Sequence, residues 1–346
     1  MIFKLGIDLG TANSNVYLPE RGVVLSEPTV VAYDEKTNKI IAVGKEAKEM
    51  IGKTPREIKI YRPLKEGVIA DYKATLAILK YFLSKVKITR FFKPILVISV
   101  PAGISSTEKR AIIDAGLEAG AREVYPIKEP ILAALGAEMP IQSPAGNMIV
   151  NIGGGTSEIA VISLGGIVTF ESLKIAGDKM DEAIREYLRR KFNLAVGEKT
   201  AEMIKIQVGS ALPLRNNSHR SEELEMVVNG VDYLTGLPKS IKITSTQVAE
   251  ALQKELKEII NGIKRVLAST PPELVADIME RGIVISGGGA LLRKIDELIS
   301  LQTSIKTIVA EDPLFAVARG TGKVLEKIDL YQKLISWFTV TKNHKD

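Results

Sequence analysis

Two glycine-rich segments that lie far apart in the chain share one pattern. Residues 5–14 read LGIDLGTANS, and residues 150–158 read VNIGGGTSE. In each segment an apolar run that contains one polar residue leads into glycines and a threonine, and strand-forming residues follow. This pattern predicts two strand–turn–strand hairpins. Because the second hairpin repeats the first, we expect two similar α/β halves that face each other.

Glycine-rich turns of this kind suit one class of ligand. Small residues let the backbone approach oxygen atoms closely, and turns that expose successive N–H groups bind anions. Neither segment is a Walker A motif, since no Gly-Lys-Ser/Thr follows, and neither is a G-x-G-x-x-G dinucleotide turn. Two such hairpins that face each other across a cleft predict a site for the phosphates of one nucleotide.

A third glycine-rich segment completes the set. Residues 283–292 read IVISGGGALL, which predicts a buried strand, a tight turn and then a helix. The residues of this turn are Gly287, Gly288, Gly289 and Ala290. Their flat backbone suits the adenosine side of a nucleotide. Any one of the three segments is compatible with a plain tight turn, but the three in this order predict nucleotide binding.

Further segments extend this pattern over nearly the whole chain, from Met1 to about Lys327. Together they resemble the actin, sugar kinase and heat-shock chaperone superfamily and, within it, the bacterial actins. The segments that carry the resemblance are 6–13, Glu129-Pro130 before an alanine-rich helix, 153–161, 176–181, 200–205 and 312–320.

The resemblance implies an α/β fold of the actin-like ATPase kind. Two similar α/β halves would enclose a nucleotide cleft, and each half would carry a small insert subdomain. The implied first half is 1–32, 73–144 and 312–335, with 33–72 as its insert. The implied second half is 145–178 and 245–311, with 179–244 as its insert and 336–346 as a tail.

Local patterns predict where several helices begin and end. Helical periodicity covers Gly177 to Phe192. A long helix is expected from Ser245 to Leu267, capped by Ser245 or Thr246. A final helix is expected from Asp312 to Asp329.

The resemblance also implies ATP with Mg²⁺ as the ligand. The residues that it places on the phosphates are Gly10, Thr11, Ala12, Asn13, Gly153, Gly154 and Gly155. It places Asp8 on the magnesium ion through water, in keeping with the preference of this cation for oxygen ligands and retained waters. Because Asp8 precedes a turn, a turn-capping role is the alternative.

Three residues bear on hydrolysis in this resemblance. Glu129 stands where the superfamily orients the attacking water, although a glutamate is also favoured at a helix N-terminus. Thr156 is available to order water near the γ-phosphate. Asn151 stands where the superfamily usually has aspartate; because an amide cannot accept a proton, we expect slow hydrolysis. Lys128 is a second departure, since the superfamily commonly has another glutamate there.

The remaining predicted site residues lie on two helices. Gly177 and Asp178 would lie by the ribose and phosphates, and Glu202 and Lys205 would approach the adenine and ribose. Because Glu202 and Lys205 are three residues apart, an exposed i,i+3 ion pair worth roughly a few tenths of a kcal/mol is the alternative.

Composition excludes several other kinds of site. The 346 residues include no cysteine, which excludes disulfides, thiolate metal sites and a cysteine nucleophile. The two histidines, His219 and His344, lie in polar stretches and do not support a histidine triad or metal cluster. A net charge of +6 without a basic–aromatic array argues against nucleic acid as a partner. Without an apolar run of about 18 residues or a signal peptide, we expect a cytoplasmic protein.

One loop has a composition that does not suit water. The loop contains Arg90, Phe91, Phe92 and Lys93, between a predicted helix and a buried strand. Phenylalanines in the membrane interface, with cations at lipid phosphates, suit this arrangement, and the resemblance places a membrane-binding loop here. The alternative is that Phe91 or Phe92 packs under the helix. Trp337 and Phe338 in the tail are a second candidate contact.

The function that the resemblance implies is cytoskeletal. Such a protein would bind ATP, polymerise with itself into filaments on the inner membrane surface, and organise cell-wall synthesis and rod shape with membrane partner proteins. Two alternatives share the fold. A small-molecule kinase of the sugar-kinase type would need a substrate-binding insert and a catalytic aspartate in the cleft, and a chaperone ATPase domain is usually followed by a peptide-binding β-domain.

Overall fold

A computed structural model describes residues 3–65, 67–86, 93–214, 223–328 and Tyr331. The strands in these ranges are β1 Lys4–Leu9, β2 Asn13–Leu18, β3 Gly22–Pro28, β4 Val31–Asp34, β5 Lys39–Val43, β6 Ile58–Tyr61, β7 Leu64–Lys65, β8 Val68–Ile69, β9 Ile95–Val100, β10 Glu123–Lys128, β11 Asn147–Ile152, β12 Ser157–Ser163, β13 Gly166–Leu173, β14 Leu194–Ala195, β15 Glu225–Asp232, β16 Pro238–Thr244, β17 Ile283–Ser286 and β18 Thr307–Val309.

The α-helices in the same ranges are α1 Lys45–Glu49, α2 Tyr72–Lys85, α3 Ser106–Ala119, α4 Glu129–Gly136, α5 Gly177–Phe192, α6 Glu198–Val208, α7 Ser245–Ala268, α8 Pro272–Arg281, α9 Ile295–Thr303 and α10 Ala316–Glu326. Short 3₁₀ turns cover Gly288–Leu291 and Pro313–Phe315. No helix of the described chain is both long enough and apolar enough to cross a lipid bilayer.

Two five-stranded sheets have the same topology. The first has the strand order β10-β9-β1-β2-β3, in which β1, β2 and β3 are antiparallel and β1, β9 and β10 are parallel. The second has the order β18-β17-β11-β12-β13, with β11, β12 and β13 antiparallel and β11, β17 and β18 parallel. Each glycine-rich hairpin therefore occupies the equivalent place in its own sheet, and the predicted repeat of two α/β halves is confirmed.

Each half also carries a smaller sheet. Strands β4, β5 and β6 form one three-stranded sheet, and β14, β15 and β16 form the other. The first of these has its own small apolar cluster, which consists of Val30, Ala32, Ala42 and Ala47. These sheets lie within or next to the two predicted inserts, and the exact subdomain boundaries stay a prediction.

Two helices, α4 and α10, share one apolar cluster with strands of both large sheets. They pack so closely that a Cβ atom on Gly136 would overlap the carbonyl oxygen of Ala316. A Cβ atom on Gly320 would likewise overlap the carbonyl oxygen of Leu132. Backbone thus contacts backbone where these two helices of the first half cross, and the apolar cluster that they share with strands of the second sheet joins the two halves.

The predicted start of α7 at Ser245 is confirmed, but its predicted cap and two other predicted helix starts are wrong, each for a local reason. Helix α7 is capped by Thr244, whose hydroxyl accepts the N–H of Gln247 in a capping box, so neither Ser245 nor Thr246 is the cap. The final helix starts at Ala316, because Asp312 has a left-handed backbone conformation and a 3₁₀ turn follows it. The third glycine segment leads into a 3₁₀ turn before α9.

The predicted membrane loop falls largely outside the described residues. Arg90, Phe91 and Phe92 are not among them, whereas Lys93 is described and exposed. The tail from 336 to 346, with Trp337 and Phe338, also lies outside. The same holds for His219 and His344.

Candidate functional site

A cavity of about 380 Å³ lies between the two halves. Its walls come from the three glycine-rich segments and from α5 and α6. The predicted site residues on these walls are Asp8, Gly10, Thr11, Ala12, Asn13, Glu129, Asn151, Gly153, Gly154, Gly155, Thr156, Gly177, Asp178, Glu202, Lys205, Gly287, Gly288 and Gly289. Ala290 is the exception, because it is buried in the apolar core of the second half. One cleft therefore brings together nearly every residue that the sequence singled out.

The two glycine hairpins meet across this cavity. A Cβ atom on Gly154 would overlap Ala12, and one on Gly155 would lie 2.8 Å from Oγ1 of Thr11. The sequence predicts that these glycines let the oxygen atoms of a ligand come close to the backbone. The structure adds that the two halves of the protein also need them in order to approach each other.

Asp8 lies at the base of the first hairpin. Its carboxylate accepts hydrogen bonds from Nδ2 of Asn15 at 3.0 Å and from Oγ of Ser99 at 3.1 Å. Burial raises the pKa of Asp8 to about 6, against the opposite effect of these two hydrogen bonds. The sequence analysis did not single out Asn15, which also lines the cavity.

The surroundings of Asp8 fit a hydrated magnesium ion. Oδ1 of Asn15 is buried and has no hydrogen-bond partner among the described residues. A half-buried carboxylate beside an unpartnered amide oxygen offers the oxygen environment that Mg²⁺ and its waters prefer. No cluster of three or more acidic or histidine side chains in the described ranges could hold a metal ion alone. Waters and ligand phosphates would have to complete the coordination.

A row of polar side chains crosses the second sheet at the floor of the cavity. Ser286, Asn151 and Glu158 lie opposite one another on the adjacent strands β17, β11 and β12, so they share one face of the sheet. Oγ of Ser286 donates to Oδ1 of Asn151 at 3.0 Å, which leaves Nδ2 to meet Oε2 of Glu129 at 3.4 Å. Asn151 therefore presents a donor to Glu129, where an aspartate would present a second carboxylate.

Two buried carboxyl groups interact at this floor. Glu129 begins α4, and its burial raises its pKa well above the usual value, with further increases from the charges of Glu158 and Asp8. Glu158 accepts hydrogen bonds from the N–H of Ala102 at 3.1 Å and from Oγ of Ser172 at 2.5 Å. Because Glu158 has the stronger anion-stabilising partners, Glu129 is the member of the pair that holds a proton more readily. In the sequence, the only signal that Glu158 lies near this site is the register of the hairpin, which pairs it with Asn151.

Lys128 lies behind this pair and outside the cavity walls. Its Nζ is 5.4 Å from the centre of the Phe170 ring. Its charge lowers the pKa of Glu158, although burial of that carboxyl has the larger, opposite effect. The lysine therefore partly compensates the buried carboxyl group of Glu158 without lining the ligand cavity.

The alternative ion pair between Glu202 and Lys205 is wrong. Glu202 pairs with Lys48 of the first insert at 2.9 Å, and Lys205 pairs with Asp181 at 2.8 Å. Both members of the predicted pair line the cavity and find partners elsewhere. They are thus placed to meet a ligand, in agreement with the functional prediction for this helix.

Three ion pairs join the first insert to α5 and α6 across the mouth of the cavity. Arg62 lies 2.6 Å from Asp178 and 2.7 Å from Glu198. The pair of Lys48 and Glu202 is the third. These side chains are 28 to 48% exposed, so each pair is expected to contribute only about 0–1 kcal/mol. We call these five residues the clasp. Because its ion pairs are weak, we expect opening of the cleft at this mouth to cost little free energy.

We predict that Arg62→Ala opens the mouth of the cleft, because it removes two of the three clasp pairs. The absence of native cysteine allows spin labels on Lys53→Cys and Val227→Cys, one on each small sheet region. Double electron–electron resonance spectroscopy measures the distance between the two spin labels. In the Arg62→Ala variant the distribution of this distance should be longer and broader. Lys36→Ala is the matched control, since it removes an exposed pair with Glu57 inside the first insert. Equal distributions for Arg62→Ala and Lys36→Ala would show that the clasp does not hold the cleft closed.

Comparison with known proteins agrees with this fold and site. The family model described as MreB/Mbl protein matches residues 3–333. The chain is 48% identical to the cell shape-determining protein Mbl of Bacillus cereus, over 95% of this chain and 97% of that protein. It is 45% identical to the cell shape-determining protein MreB of Escherichia coli, over 94% of each.

Solved structures give the same result. MreB5 of Spiroplasma citri bound to AMPPNP is 39% identical and superposes with a TM-score of 0.90, covering 96% of this chain and 98% of that one. The MamK double helical filament subunit, at 23% identity, superposes with a TM-score of 0.77 and shares the fold, covering 94% of this chain and 99% of its own. The chain has the actin-like fold, and it belongs to the MreB/Mbl family.

Proposed function

We propose that this protein is an actin-like cytoskeletal subunit that binds ATP with Mg²⁺ in the cavity between its halves. The observation that carries the proposal is the meeting of two glycine hairpins at one cavity, with the half-buried carboxylate of Asp8 beside them. A related MreB5, 39% identical to this chain, has been solved bound to AMPPNP and bound to ADP.

In this proposal the backbone of the two hairpins holds the phosphates. The turns expose N–H groups, and residues without bulky side chains let the phosphate oxygens come close. Asp8 and the unpartnered oxygen of Asn15 would hold waters of the magnesium ion. When bound, that ion would neutralise phosphate charge and help to stabilise the charge that develops during hydrolysis.

The ribose and base would lie between α5, α6 and the third glycine segment. Gly177, Asp178, Glu202 and Lys205 supply polar groups on this side of the cavity. The apolar side chains there are Met180, Ile206, Leu291, Leu292, Leu314 and Val317. An apolar slot with a few polar groups is typical of sites for small ligands.

Hydrolysis in this site would depend on how Glu129 and Thr156 orient a water molecule, since positioning is most of what a protein offers to phosphoryl transfer. Both line the cavity, and both are at most 7% exposed. Asn151 supplies no proton acceptor and instead donates to Glu129. We therefore propose ATP turnover that is slow in comparison with a variant that has aspartate at this position.

The cellular part of the proposal rests on family membership. The matched relatives are named for determining cell shape. We propose accordingly that the chain polymerises with itself, lies on the cytoplasmic face of the membrane through Arg90, Phe91, Phe92 and Lys93, and organises wall synthesis with membrane proteins. These relatives are not named as sugar kinases or chaperones, so the two alternatives from the sequence are not proposed.

The first prediction is nucleotide-dependent assembly. With Mg-ATP the parent chain should pellet on ultracentrifugation and form filaments in electron micrographs, and without nucleotide it should stay in the supernatant. Asp8→Ala should prevent both, because it removes the carboxylate that is predicted to hold the magnesium waters. Asp34→Ala, which changes an exposed turn carboxylate of the first insert, should pellet as the parent does. A parent that stays monomeric with Mg-ATP and lipid would contradict polymerisation.

A second prediction concerns the amide at the floor of the cavity. Asn151→Asp should raise phosphate release by at least about tenfold, since a positioned general base typically contributes about 10²–10⁴-fold. Glu129→Gln in the parent should lower the rate further. Asn147→Asp, at the far end of the same strand, is the control. Unchanged phosphate release in Asn151→Asp would show that the amide does not limit turnover.

The third prediction concerns the membrane. Changing both Phe91 and Phe92 to serine should release filaments from anionic liposomes in a flotation assay while nucleotide binding is kept. Burial of each ring contributes about 1.5–3 kcal/mol, so a single subunit binds weakly and a filament binds firmly. Leu234→Ser, which changes an apolar side chain that is 75% exposed on another surface, is the control. Co-flotation of the double variant, or its unfolding, would contradict a membrane role.

A further inference from the structure

Lys205 is held at the cavity wall by two contacts on α5. Its ammonium group donates to the carbonyl oxygen of Gly177 at 2.9 Å and forms an ion pair with Oδ1 of Asp181 at 2.8 Å. A lysine has three N–H donors, so one remains for a ligand. The side chain of Lys205 is 18% exposed and lines the cavity.

Asp181 depends on this lysine in return. Its side chain is 8% exposed, and the ion pair with Lys205 at 2.8 Å is the contact that compensates its Oδ1. Burial raises the pKa of Asp181 to about 6, although Lys205 lowers it. The other charged groups that act on it are Glu202 of α6 and Asp178 of α5, and both raise the pKa further.

The same contacts connect α6 to the second glycine hairpin. The N–H of Gly177 donates to the carbonyl oxygen of Gly153 at 3.1 Å, and the N–H of Asp178 donates to that of Gly154 at 2.8 Å. Lys205 binds the carbonyl oxygen of this same Gly177. The lysine, the start of α5 and the predicted phosphate loop therefore form one continuous set of polar contacts.

We propose that Asp181 is a positioning residue of the nucleotide site: it holds the ammonium group of Lys205 against the start of α5, so that the free N–H meets an oxygen or ring nitrogen of the bound nucleoside. This inference rests on the proposed nucleotide site. Protonation of Asp181 removes the ion pair and leaves the lysine held by one carbonyl oxygen. Nucleotide affinity therefore responds to pH through a residue that does not need to touch the ligand.

The test uses the full chain, Mg-ADP and calorimetry. Asp181→Asn keeps the shape of the side chain and removes its charge, and it should weaken ADP binding at pH 8 by on the order of tenfold, which equals about 1.4 kcal/mol. Glu182→Gln is the matched control, because it neutralises the neighbouring carboxylate of α5, which pairs with Lys179 at the exposed surface. That variant should bind as the parent does.

A double-mutant cycle separates positioning from a general effect on the fold. Lys205→Met should weaken binding by itself, and adding Asp181→Asn to Lys205→Met should cause no further loss, because Asp181 acts through the lysine. Asp181→Asn alone leaves the charge of Lys205 uncompensated and could unfold the chain. The double variant has neither charge, so its affinity can still be compared with that of Lys205→Met. Additive losses would overturn the inference.

The pH profile gives a readout that a purely structural role would not change. The phosphates of ADP also titrate, so the ratio of the parent affinity to the Asp181→Asn affinity is the quantity to compare. This ratio should be large at pH 8 and approach one at pH 5, where Asp181 in the parent is protonated. A ratio of one at every pH, with ADP bound by the parent, would overturn the role of Asp181. If the parent binds no ADP, the proposed function fails and this inference fails with it.

Discussion

The arrangement of the protein depends on close backbone contact between its two halves. At the cavity, the hairpin of the second sheet touches the hairpin of the first, and Gly154 leaves no room for a side chain beside Ala12. Within the first half, the crossing of α4 and α10 is as close at Gly136 and Gly320, and these two helices share an apolar cluster with strands of both large sheets. Contacts of this kind have no flexible side chain that could change its rotamer to accommodate a small movement, so they are either kept or lost. At the mouth, by contrast, the three ion pairs of the clasp are partly exposed. Movement is therefore expected at the mouth, with the glycine contacts as the fixed side.

The cleft is an unfavourable environment for the ionised form of its own carboxyl groups. Burial raises the pKa of Asp8, Glu129, Glu158 and Asp181, although the chain as a whole carries a net charge of +6. Of these four, Glu158 and Asp181 have a lysine nearby that lowers the pKa. Of the other two, the proposed function assigns Asp8 to the waters of a magnesium ion and Glu129 to the attacking water. A cation that arrives with the nucleotide would stabilise the ionised form of Asp8, so ligand binding and the charge state of the cleft are linked.

The sequence predicted the parts of the structure that depend on local pattern. The two hairpins, the repeat of the two halves and the glycine turns of the cavity wall follow from the spacing of glycines and apolar residues, whereas the wall residues of α4, α5 and α6 were implied by the family resemblance. What it could not predict depends on contacts between distant segments. Lys48 and Glu202 are 154 residues apart, and no local pattern indicates that they pair. Asp181 lies on a predicted helix, but no local pattern indicates that Lys205 lies beside it. Ala290 was predicted at the cavity because it follows three glycines, but the 3₁₀ turn directs it into the core.

Hydrogen–deuterium exchange with and without Mg-ATP tests the central claim most directly, since that claim is that one nucleotide lies between the two hairpins. The account predicts that saturating nucleotide slows exchange at residues 10–13 and 153–156 together, with the same dependence on nucleotide concentration at both. Protection of only one hairpin, or protection confined to other parts of the chain, would contradict it.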